Sequence, residues 1–180
     1  MGVVADPPPA MLLVAAFSRH QAALDWARRR IEQAWGNVAL QSPAFDFTET
    51  AYYEAEMGQG LRKQFFLLDG DFDPAELVEK KLTANDWEAE YAATAGHAEQ
   101  RPLNIDPGYI TLGKLVLAST KNFVHRVYQG RGIYAEVTLF YKHNHWHHHD
   151  FTFPDYRRAD YHQFFSQCRQ LLKQRTHSRA

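Results

Sequence analysis

A chain of 180 residues with 45% hydrophobic and 14% aromatic content is long enough for one filled core and short for two full domains. Twenty Lys and Arg against 21 Asp and Glu give a formal net charge of -1, so no overall field draws the protein toward nucleic acid or an anionic membrane, and DNA is not an expected partner. The one cysteine, Cys168, excludes an intrachain disulfide and a thiolate zinc knuckle, and it fits a reducing compartment with the cytoplasm as the expected location.

The longest clean apolar run, Met11 to Phe17, falls far short of the roughly 20 residues of a membrane span. No positively charged stretch precedes it, as one would in a signal peptide. Residues 1–10, with Pro7-Pro8-Pro9, read as a disordered lead-in, residues 11–176 as one domain and 177–180 as a frayed tail. Met11 to Phe17 predicts a buried strand. Ser18 stands three residues before Gln21 in capping-box spacing, and Leu24, Ala27, Ile31, Ala34 and Trp35 recur at helical intervals until Gly36. Phe45 to Thr48, Tyr52 to Met57 and Leu61 to Leu68 read as strands, the last two joined through Gly58-Gln59-Gly60.

Asp73-Pro74-Ala75-Glu76 carries the start signals of a second long helix, which ends near Gly96. On that helix Lys81, Asn85 and Glu88 read as a solvated stripe. Further strands follow at Leu103 to Asp106, Leu115 to Thr120, His125 to Tyr128 and Ile133 to Tyr141. Tyr161, Phe164, Phe165, Cys168, Leu171 and Leu172 mark the apolar face of a last helix, which makes Cys168 a packing residue. The order predicts an α+β fold: a single largely antiparallel sheet with helices packed on one face, a ferredoxin-like core with extra strands being the best single match.

As a strand, Tyr52 to Met57 would place Glu54 and Glu56 on one face, where two carboxylates need a cation between them. Ile133 to Tyr141 would place Tyr134, Glu136 and Thr138 opposite a core face of Ile133, Ala135, Val137 and Leu139. Glu54, Glu56 and Glu136 together form an oxygen set suited to magnesium or manganese. Asp106, a fourth candidate, sits in Asp-Pro-Gly, which is ordinary turn chemistry. Lys114, Lys121, Arg126 and Arg157 flank the acids and suit an anionic substrate, with Tyr134 beside them, while His125 and Glu54 are the candidate acid or base residues. No Walker A loop and no dinucleotide fingerprint is present. The run His143-Asn144-His145-Trp146-His147-His148-His149 would, if extended, line up imidazoles that take nickel, copper or zinc adventitiously.

Taken in order, Tyr52 through Gly58, Asn104 through Tyr109, Lys114 through Lys121, His125-Arg126, Gly132 through Leu139 and Pro154 through Arg157 resemble the uncharacterised prokaryotic family DUF 4416. The resemblance covers nearly the whole chain after the proline lead-in and implies no established activity. The chain departs from that pattern at Lys63, where arginine is expected, and in the histidine run. The residues themselves favour a metal-dependent enzyme acting on a phosphorylated or anionic small molecule or nucleotide. The alternatives are a non-catalytic module that binds a nucleotide, an RNA end or a protein, and a set of acids and bases that pair with each other to stabilise the sheet.

Overall fold

The protein is described by a computed structural model covering residues 2–178; Met1 and the last two residues of the expected tail lie outside it. Gly2 to Pro9 are exposed and carry no regular element. The elements are β1 Met11–Ser18, α1 Gln21–Trp35, β2 Val38–Gln41, β3 Phe45–Asp46, α2 Glu54–Met57, β4 Arg62–Leu68, α3 Leu77–Thr94, β5 Asn104–Ile110, β6 Lys114–Ser119, β7 Val127–Gly130, β8 Ile133–Lys142, β9 His145–His148 and α4 Ala159–His177. The strands form one sheet in the order β2-β4-β1-β5-β6-β8-β7, with β3 also on β4 and β9 also on β8. Every pairing is antiparallel. The path β1-α1-β2-β4-α3-β5, with β2-β4-β1-β5 side by side, is the split βαβ arrangement of a ferredoxin-like core.

The α+β class and the single antiparallel sheet agree with the sequence, but helices cover both faces of the sheet, not one. All eight residues of β1 are buried. Leu12, Val14 and Ala16 pack with α1 and α3, whereas Met11, Leu13 and Ala15 pack on the opposite side with Tyr161, Phe164, Phe165, Cys168 and Leu172 of α4. A continuous apolar strand has no face to give to water, so a second helical layer is required.

Three local readings also change. Tyr52 to Met57 is not a strand: Glu54–Met57 is a single helical turn that ends at Gly58, whose φ is +75°. Tyr53 and Met57 stand four apart and join Phe17, Phe47 and Leu61 in a third small core, which a turn of helix achieves and a strand does not. Ser18 is the last residue of β1 rather than a helix cap, and its hydroxyl donates to the Pro102 carbonyl at 2.6 Å. Along β8 the register slips opposite Leu115/Val116, so Ile133, Ala135 and Val137 face α1 and α3 while Leu139 faces α4.

Asp106-Pro107-Gly108 does not turn either; it runs inside β5. The β5–β6 ladder covers only Gly108 to Ile110 against Leu117 to Leu115, whereas β5 continues along β1 to Asn104 and β6 continues along β8 to Ser119. Proline has no N–H to give, and it sits where the β5–β6 ladder has ended. Beyond Gly108 the two strands part, and the gap becomes the floor of a cavity. At Gly108 the neighbouring strand leaves no room for a side chain: a Cβ there would stand 2.2 Å from the Val116 carbonyl oxygen. Gly108→Ala is therefore expected to lower stability by about 1–3 kcal/mol through forced separation of β5 and β6, read as a shift in the urea midpoint.

Candidate functional site

The parted ends of β5 and β6 open into a cavity of 490 Å³. Three elements bring buried charge to it. From β4, Lys63 places its ammonium 2.5 Å from Asp155 Oδ2, with the Phe47 ring 3.9 Å away and the Phe17 and Tyr156 rings about 5 Å away. From α3, Lys81 donates to Asp106 Oδ1 at 2.9 Å and to the Ile105 carbonyl at 2.8 Å, with Glu88 Oε1 at 3.7 Å. From the segment before β7, Arg126 holds Glu136 through Nε at 2.6 Å and Ser119 Oγ through Nη1 at 2.7 Å. Asn104 Nδ2 donates to the other Asp106 oxygen at 2.7 Å, and Arg101 lies 3.5 Å from Glu88 Oε2.

Lys81, Asn85 and Glu88 are thus not a solvated stripe. Leu77, Lys81, Ala84, Glu88 and Tyr91 follow the four-three spacing of a single helix face, and that face is packed on the sheet. Two charges in an apolar stripe are the signal that a solvated reading overlooks. Lys63 and Asp155 carry no such signal, because Lys63 stands with Arg62 and Gln64 at the polar start of β4 and Asp155 in a one-turn 3₁₀ segment, and only the fold brings the two together.

The mouth of the cavity is aromatic. Tyr52 is 66% exposed and Phe123 is 44% exposed on its rim. The Lys121 ammonium sits 4.1 Å from the Tyr52 ring centroid and 5.6 Å from that of Tyr53. Among the described residues lining the cavity, Lys121 is the cation that pairs with no carboxylate.

Of the residues singled out from sequence, Lys121, Arg126 and Glu136 line this cavity and Asp106 joins them. His125 stands behind the wall, its Nε2 3.1 Å from Glu136 Oε2 and its ring stacked on Phe151 at 4.2 Å. Tyr134 packs against Tyr128 at 5.3 Å, outside the cavity. Lys114 is exposed at the opposite end of β6. Arg157 anchors a loop by donating to the Thr152 and Asp150 carbonyls. Glu54 and Glu56 are exposed on α2, where they take up Gln59 and Arg101. The structure does not bring Glu54, Glu56 and Glu136 together: among the described residues, the set of three ligating side chains whose donor atoms lie within 4.8 Å of one another is His20, His97 and Glu99. The histidine run is not an open tract. It folds into the β8–β9 hairpin through His143 and Asn144, both at positive φ, and buries Trp146.

The carboxyls on the cavity wall are pushed apart. Burial is the largest influence on Glu88 and raises its carboxyl above the ordinary 4.5, against the lowering pull of Lys81. Burial would raise Asp106 too, but the Lys81 ammonium and its hydrogen bond, helped by Lys63 and Asn104, hold it below 3.8. Burial works against the Lys81 charge, and the two carboxylates restore it and lift it above 10.5.

An α+β protein with a charged, aromatic cavity at the open end of a ferredoxin-like core is the class that fold and site define. The chain belongs to DUF4416, a domain-of-unknown-function family, whose model matches residues 8–172. No curated protein and no solved structure matches it. Among the described residues no helix is long and apolar enough to cross a membrane.

With its pKa raised on folding, Glu88 keeps the folded state more protonated above pH 4.5, so this group makes stability fall as pH rises through that window. Removing the titration with Glu88→Gln is expected to make the variant progressively more stable relative to the wild type as pH rises above about 4.5, measured by urea unfolding at a series of pH values. A difference that stays constant across the range contradicts the assignment.

Proposed function

We propose that the chain binds a small anionic molecule carrying a planar ring, of nucleotide size, in the cavity between β5 and β6. The observation that carries this reading is Lys121. Its ammonium has no carboxylate partner and lies over the Tyr52 and Tyr53 rings at the mouth of a cavity whose other cations are already paired. A volume of 490 Å³ is in the range of small-molecule pockets, which are mostly apolar with a few placed polar groups. Tyr52, Tyr53 and Phe123 offer faces for a ring to stack on, Lys121 offers a charge for a phosphate or carboxylate, and Ser119, Arg126 and Asn104 offer polar contacts deeper in. The magnesium or manganese set expected from Glu54, Glu56 and Glu136 forms no part of this reading, because those side chains share no point.

A second reading adds turnover, favoured by the two carboxyls that share Lys81. A carboxyl held up at Glu88 and one held down at Asp106 are the pattern of an acid and a base on one wall. Without turnover the same geometry serves a nucleotide-binding module.

Isothermal titration against a panel of nucleotides, sugar phosphates and aromatic carboxylates tests both readings. At least one member is expected to bind, and Lys121→Ala is expected to weaken it about 10-fold, or ~1.4 kcal/mol, with the melting temperature unchanged. Chromatography of the same mixtures separates enzyme from binder by whether the bound member is converted. No binding across the panel overturns the proposal.

A further inference from the structure

We propose that His20, His97 and Glu99 form a binding site for a divalent transition metal of the zinc type, separate from the cavity. One donor atom from each of the three lies within 4.8 Å of the other two. Two imidazoles and a carboxylate, with no thiolate, are a donor set that zinc accepts with three protein ligands and an open fourth position. Zinc–ligand bonds of about 2.0–2.2 Å in a tetrahedron put neighbouring donor atoms ~3.4 Å apart. His20 Nε2 and Glu99 Oε2 are already 3.0 Å apart, and the His20 and His97 rings are stacked with centroids at 3.9 Å.

The surrounding contacts are those of a metal site's outer layer. His97 Nε2 lies 3.1 Å from the Tyr91 hydroxyl, and when it donates its hydrogen there, Nδ1 keeps a lone pair for the metal. Arg19 Nη1 donates to Glu99 Oε1 at 3.0 Å and leaves Oε2 turned to His20. Gly58 makes that pose of Arg19 possible, since a Cβ at position 58 would meet Nη1 at 2.7 Å. Ser18 pins the loop from beneath, accepting the His20 N–H at 2.9 Å while donating to Pro102.

The ligands come from two loops, before α1 and after α3, 79 residues apart in the chain. A metal joining them closes a long loop and stabilises the folded state by its binding energy. It also fixes the 96–102 segment, and with it Arg101, at the edge of the cavity.

The test uses the full chain with the exposed imidazoles of the β8–β9 hairpin removed (His143→Asn, His145→Asn, His148→Asn). After dialysis against Zn²⁺ alone, elemental analysis is expected to find one equivalent retained and calorimetry a raised melting temperature. His97→Ala and, separately, His20→Ala are expected to lose that equivalent with an unchanged far-UV spectrum. Tyr91→Phe is expected to keep the stoichiometry and weaken binding about 10–100-fold. Co²⁺ in place of Zn²⁺ is expected to show the visible absorption of a tetrahedral ion. Zinc that is not retained, or that survives both histidine substitutions, overturns the proposal.

Discussion

The β5–β6 ladder ends at Gly108, and the open end of the sheet is organised by how the resulting gap is closed with charge. Lys81 reaches out of the apolar face of α3 to Asp106 and the Ile105 carbonyl, so an ammonium spans the space where a ladder would have run. Glu88 completes the arrangement by accepting the Ile105 N–H at 2.7 Å. A backbone amide that has lost its neighbouring strand must find some acceptor, and this helix supplies one. Lys63 with Asp155, and Arg126 with Glu136, close the remaining walls in the same manner.

Such pairs are a poor way to stabilise a fold. Taking each ion out of water costs several kcal/mol, and well-packed apolar side chains of similar size are often as stable or more so. Here, among the described residues, the buried charged side chains Lys63, Lys81, Arg126, Glu136 and Asp155 all line one cavity. The concentration of cost in one place, beside the unpaired Lys121, is the physical ground for reading the cavity as a site. Two carboxyls in one cleft, Glu88 shifted up and Asp106 shifted down, point the same way.

How much of this is legible in the sequence depends on how local each signal is. The core strands announce themselves as uninterrupted apolar runs, and Asp73 caps the 3₁₀ turn that leads into α3 as its spacing indicates. The same apolar run in β1 already implies two covered faces, so the one-face expectation conflicts with a signal that is present. Tyr52 to Met57 satisfies a period of two and a period of four equally well, and the packing of Tyr53 and Met57 against Phe17 decides between them. The cavity residues divide likewise. Lys81 and Glu88 are readable as charges within an apolar heptad, and Lys121 and Arg126 as basic residues at strand ends. Lys63 meets Asp155 across 92 residues of chain, and no local pattern foretells that pairing.

Under the proposed function, the buried pairs serve the cavity and not the stability of the sheet. The most direct measurement replaces Lys63 and Asp155 together by Met and Leu and compares stability with ligand affinity. Apolar side chains suit this position, because the Lys63 ammonium is already surrounded by Phe17, Phe47 and Tyr156. The expected double variant is at least as stable as the wild type in urea and no longer takes up the cavity ligand. A double variant destabilised by about 3 kcal/mol or more, with ligand affinity intact, would contradict this reading.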